Sequence, residues 1–290
     1  MRQNTAILMV IGATAMWGMG GLFAQKMDVM TTTIAWLRCF FPFAILLLTI
    51  VPRAKLHERE GKGIAFAGST VNMVRMFFFF WGFTNTSISN AVLMLYTWPV
   101  WATVLAHFVL GERITKRHIL LLMGSFVGIA VIQLDNLNLQ AKAEDYLGMA
   151  SMVVSSILYS ISMILFKKVS PMYKPMELLF WQNLVCVFVF FPIFWQDPNW
   201  LEPIAWGWGA LLGVLVGFVG FGLFFAALKQ MEASKISVFC FTEVLFAMLY
   251  SCLFFNEQLS VTKILGALIL IGSSIALSVQ PKVKKDESKD

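Results

Sequence analysis

Ten runs of apolar residues, each close to twenty long, decide what this chain can become. They fall at residues 6–25, 32–51, 63–83, 88–110, 119–134, 146–166, 175–195, 204–228, 235–255 and 263–280. A helix rises about 1.5 Å per residue, so roughly 20 residues cross a hydrocarbon core of about 30 Å. Oil offers the backbone no hydrogen-bond partner, and a segment that crosses alone must satisfy its own peptide groups as a helix. The expected fold is therefore an all-α integral membrane protein of about ten transmembrane helices. The links between runs are short, which leaves no room for a soluble domain, and a GxxxxGK loop for a nucleotide-driven motor is absent. The first run is longer than the core of a secretory signal and reads as a span.

The composition suits lipid: 59% of the 290 residues are hydrophobic and 13% charged, where a soluble domain is about a quarter charged. The net charge of +6 gathers in the links between runs, which is a topology signal and not a nucleic-acid-binding face. With the N-terminus inside, the inner segments hold seventeen Lys and Arg and the outer segments only Lys26, Lys142 and Lys263. That bias predicts an inner-membrane protein with both termini in the cytoplasm. Residues 281–290 read as a charged, disordered tail. Cys39, Cys186, Cys240 and Cys252 sit in apolar runs without CxxC or Cys/His spacing, so neither a disulfide framework nor a metal or cofactor site is expected.

A shift of 145 residues lays Trp36 on Trp181, Thr97 on Thr242, Glu112 on Glu257 and Ile119 on Ile264. Residues 1–140 and 141–280 thus read as two copies of a five-helix unit. Five is odd, so the second copy must enter the membrane upside down, and inverted repeats of this kind enclose a substrate site near the midplane.

With Ala15-Met-Trp-Gly18, Trp36-Leu-Arg38, Pro99, Gly111-Glu112-Arg113, and Glu257 followed by Gly266 and Gly272, the whole chain resembles the EamA-type ten-helix members of the drug/metabolite transporter superfamily. The resemblance implies a central cavity lined mainly by the first, third, fourth, sixth, eighth and ninth spans, with the fifth and tenth at the periphery or a dimer surface. Val244 stands where the pattern has a proline after Glu243. Relatives of this type handle amino acids, aromatic compounds, vitamins, nucleotide-like metabolites and toxic cations.

Charged groups in mid-membrane cost several kcal/mol unless paired or hydrated, which makes them functional candidates. Arg75 and Glu243 lie near the centres of the third and ninth spans, and Arg38 in the outer third of the second. The repeat does not duplicate them: they fall on Gly220, Trp98 and Asn183. One reading gives Arg75 a substrate carboxylate and Glu243 a substrate ammonium, with Asn72 one turn before Arg75. Others pair Arg75 with Glu243, bond Arg75 to backbone carbonyls, or make Glu243 a proton carrier, since a desolvated carboxyl can exist neutral. Trp17, Trp81, Tyr96, Trp98, Trp101, Tyr159 and Phe241 could stack a ring or hold a cation, although aromatic residues also pack and anchor spans. Gly209, Gly213 and Gly217 form a smooth stripe suited to close helix packing. Pro42, Pro99 and Pro192 interrupt their spans, and Glu112 and Glu257 sit at span ends, where capping is expected.

Reactive motifs such as HExxH or GxSxG are lacking, which argues against an intramembrane enzyme. The expectation is a secondary carrier of a small molecule, working by alternating access in contact with lipid, as a monomer or homodimer. Export of amino acids or related metabolites leads, because a cation and an anion in one cavity suit a zwitterion; the alternative is import of a vitamin or nucleotide-like metabolite. Coupling to protons and coupling to the substrate's own gradient both stay open, and a channel is a further rival.

Overall fold

A computed structural model of the protein describes residues 2–50, 60–134, 143–255 and 259–278. The basic residues at 53, 55, 59 and 142, Glu257 and the charged tail lie outside the described residues. Among those described, ten helices are long and apolar enough to cross a membrane. They are Asn4–Ala24, Thr31–Thr49, Lys62–Asn85, Ser89–Leu110, Lys116–Gln133, Asp145–Val169, Pro175–Phe194, Pro203–Gln230, Ala233–Phe254 and Val261–Ser278. No strand occurs among the described residues. The chain is a ten-helix, multi-pass membrane protein.

Several spans are not continuous. The fourth is built from Ile88–Leu95 and Trp98–Leu110, which meet at Tyr96 and Thr97; the ninth from Ala233–Cys240 and Thr242–Phe255, which meet at Phe241. The 145-residue shift lays Tyr96 on Phe241, so the two breaks coincide. Pro99, in the first turn after the fourth-span break, has no N–H to give to the preceding turn. The ninth span breaks without a proline, and the two share a threonine instead. Thr97 Oγ1 donates to the Met94 carbonyl at 2.7 Å and lies 2.8 Å from the Ser156 hydroxyl. Thr242 Oγ1 donates to the Phe239 carbonyl at 2.7 Å and lies 2.8 Å from the Thr14 hydroxyl. A hydroxyl that bonds back to its own helix competes with the backbone ladder and bends it. Pro42 and Pro192, by contrast, sit within helices that run on through them.

The eighth span winds as a π-helix over Leu212–Gly220. There its glycine stripe presses on the second span: a Cβ on Gly217 would come within 2.5 Å of the Arg38 carbonyl oxygen, and one on Gly213 within 2.6 Å of Phe41 Cβ. The stripe serves packing, and it fixes where Arg38 stands. The third span packs on the sixth as the eighth packs on the first, and the fourth lies against the sixth as the ninth lies against the first. The second and seventh spans pair, and the fifth and tenth pack on each other.

Polar caps tie the ends of the bundle together. Glu112, beyond the fourth span, accepts from the Ala233 N–H at 2.7 Å, the Ser234 N–H at 3.0 Å and the Ser234 hydroxyl at 2.6 Å, capping the ninth span's N-terminus from another element. Lys167 donates to the Leu228 and Met231 carbonyls, and Arg117 to the Ala276 carbonyl at 2.6 Å. At the opposite end Asp197, between the seventh and eighth spans, accepts from the Met30 N–H at 2.7 Å and from the Thr33 hydroxyl at the start of the second span. Each of these contacts joins segments that the alternation of spans brings to one end of the bundle.

Candidate functional site

Small hydroxyl residues set the site's frame. Ser151, Ser155 and Ser162 of the sixth span donate to the carbonyls of Phe78, Arg75 and Gly68 at 2.8, 3.1 and 2.8 Å, which locks the third span against the sixth. That register sets the Arg75 guanidinium 5.0 Å from the centre of the Tyr159 ring and 5.5 Å from that of Phe79. Ser160 bonds the Trp98 carbonyl at 2.7 Å, and the Trp98 ring meets Tyr159 edge-on at 4.9 Å. Asn72 is 1% exposed, with its amide nitrogen 3.5 Å from the Gln182 carbonyl and from Cys186 Sγ.

Glu243 lies in the first turn after the ninth-span break, where a helix N-terminus favours an acidic group. Tyr96 stands at the matching break of the fourth span. Among the described residues neither Arg75 nor Arg38 forms an ion pair with Glu243. The alternative in which Arg75 and Glu243 neutralise each other is therefore not formed. Arg38, on the second span, lies 5.3 Å from the centre of the Phe221 ring on the eighth. Tyr159 and Glu243 are both half-buried.

Trp17 packs at the edge of this region, 4.7 Å from Phe221 and 5.2 Å from Phe224. Its indole N–H has no partner. Phe241 is fully buried beside Tyr96 and reads as core. Trp101 departs from expectation. After the break, Trp98, Pro99, Ala102, Thr103 and Ala106 face inward, and Trp101 shares the outer face with Val104 and Phe108, 38% exposed. Trp81 is also exposed, on an exterior groove of about 320 Å³ between the third and sixth spans.

The sequence reading missed Phe79, Phe221 and the buried sulfurs of Cys39, Met76 and Cys186 against Arg38. Phe221 carried a signal, since it follows Gly220, the counterpart of Arg75. His, Cys, Asp and Glu form no group that could hold a metal among the described residues.

The EamA-like transporter family matches this chain twice, over residues 4–134 and 146–279. An uncharacterized transporter of Archaeoglobus fulgidus is 26% identical over 280 residues, 95% of this chain and 97% of its own. The S-adenosylmethionine uptake transporter of Rickettsia prowazekii is 22% identical over 259 residues, 86% of this chain and 83% of its own. A solved crystal structure covers 94% of this chain and 96% of its own with a TM-score of 0.80 at 14% identity, a likeness of fold. Matched almost from end to end, the chain belongs to the EamA-like transporter family, and it is a transporter and not an enzyme.

Proposed function

We propose that this transporter is a secondary carrier that exports amino acids or related metabolites by alternating access. Its two halves, residues 1–140 and 141–280, stand inverted in the inner membrane with both termini in the cytoplasm, and they rearrange around the Arg75, Tyr159 and Glu243 region. Arg75, with Asn72 beside it, takes the substrate carboxylate; Glu243, with Tyr96 at the matching break, takes the ammonium. Trp98 and Tyr159 supply the ring surfaces, with Trp17 behind them. The observation that supports this reading is the pair of matched breaks in the fourth and ninth spans, with Glu243 in the first turn after one and Trp98, Tyr159 and Arg75 in contact beside the other. Irregular backbone at membrane depth is tolerated where it is buried in protein or lines a water-filled cavity.

Counterflow in proteoliposomes tests it: unlabelled amino acid inside should drive accumulation of the labelled form, which a channel cannot do. Equal flux with and without internal substrate would overturn the carrier reading. A second reading, import of a nucleotide-like metabolite, draws on the S-adenosylmethionine transporters among the relatives and on the Trp98 and Tyr159 rings. Uptake into right-side-out vesicles, compared with inverted ones, separates the two.

A further inference from the structure

The two arginines of the site hold almost all of their hydrogen-bonding capacity unspent. Arg75 is 9% exposed; its Nη2 lies 3.5 Å from Asn72 Oδ1, at the limit for a hydrogen bond, and its Nε has no partner. Arg38 Nη2 reaches only sulfur, Cys39 Sγ and Met76 Sδ, each at 3.7 Å. Sulfur is a weak acceptor, and a ring face compensates little of the hydration that a buried guanidinium gives up.

One chain of contacts connects the two. From Arg38, Met76 Sδ lies 3.7 Å away; Cys186 Sγ is 3.6 Å from Met76 Sδ; Asn72 Nδ2 is 3.5 Å from Cys186 Sγ; and the other end of Asn72 meets Arg75. Among the described residues neither guanidinium makes an ion pair or a hydrogen bond with a carboxylate, so both cations stand without an anionic partner in contact.

We propose that Arg38 and Arg75 form a two-pronged anion site, and that the substrate is an amino compound with two acidic groups, one for each guanidinium, whose ammonium goes to Glu243. The second acidic group is a carboxylate or a phosphate. This proposal rests on the transporter reading of the same site and narrows its substrate class. A planar guanidinium fork holds a carboxylate or phosphate through two parallel bonds, which a single polar contact cannot match. A neutral amide in place of the second acid leaves one fork empty, and a sulfonium cation adds charge of the wrong sign.

The test uses the full-length protein in detergent and in proteoliposomes with L-aspartate, L-glutamate, O-phospho-L-serine, L-asparagine and L-glutamine. At least one diacidic compound should raise the melting temperature and support counterflow, with an apparent Kd about tenfold or more below that of its neutral analogue, the minimum expected from one charge-assisted contact. The aspartate and phosphoserine arms tell carboxylate from phosphate. Arg38→Gln should reduce the acid-over-amide preference, the ratio of the two apparent Kd values within the variant, about tenfold; Arg38→Lys, which keeps the charge and guards against misfolding, should retain part of the preference. If the neutral amides bind and exchange as well as the acids, the two-anion proposal fails and the carrier reading stands. If no amino compound of any charge binds or exchanges, both the proposal and the amino-acid reading fall.

Discussion

Removing the carboxylate of Asp197 should loosen the protein at one end without touching the candidate site. Asp197 is 2% exposed and accepts three bonds: from the Met30 N–H at 2.7 Å, the Thr33 hydroxyl, and the Asn199 N–H at 2.9 Å. Met30 is the N-cap of the second span and has no side-chain cap of its own, so Asp197 does that work from 167 residues away. Loss of a cap costs about 1–2 kcal/mol, and loss of a further charge-assisted bond about 1.5 kcal/mol. Asp197→Ala should therefore cost about 3 kcal/mol, and Asp197→Asn, which keeps one acceptor, about half of that. At about 2–4 °C per kcal/mol for chains of this order of size, the alanine variant should melt roughly 6–12 °C lower. Burial works against the charge, but the Thr33 hydroxyl and the Asn199 and Met30 N–H groups outweigh it and hold Asp197 below its ordinary value. A carboxyl depressed in the folded state stabilises fully above the unfolded value of about 3.9 and loses that contribution as the pH falls through the folded one. The melting gap between wild type and Asp197→Asn should thus be flat from pH 7 to about pH 5 and close below about pH 4. Size-exclusion thermostability in detergent reads both effects. An alanine variant within about 1 °C of wild type, or a gap that widens on acidification, would refute the reasoning.

Glu112→Gln should cost about 1–2 kcal/mol by weakening the cap on the ninth span, and a double-mutant cycle with Ser234→Ala should be non-additive; additive losses would separate the two residues. Glu243→Gln and Arg75→Ala should each abolish counterflow while membrane insertion, followed by fractionation, is unchanged; wild-type flux in either variant removes that residue from the mechanism. Gly217→Leu should destabilise by about 3 kcal/mol, since its side chain would have to displace the second span at Arg38 and Pro42, and near-normal melting would show that the spans part there easily. Trp101→Ala should leave transport and melting close to wild type, whereas Trp98→Ala should lose about 3–5 kcal/mol as a large core side chain is removed. Equal effects at the two tryptophans would contradict the inward and outward faces described here.

How far the sequence could be read depended on whether a feature was local. Apolar length is local, and the ten spans lie within a few residues of where hydropathy puts them. Span breaks are only partly so: Pro99 announces the fourth, but the ninth has Val244 in that place and breaks through Thr242, whose hydroxyl matters because Thr14, 228 residues away, answers it. Once a span breaks, its helical phase resets. Membership of a cavity span could not say which face Trp101 takes, and the helix that starts afresh at Trp98 turns it to the outside. Arg38 shows the same limit from the other side. Its charge within a span marked it as a candidate, but its place could not be read from the second span alone, because it is set by the eighth span, pressed close at Gly217. The charges were legible as charges; which of them would meet was written in the glycines and threonines between them.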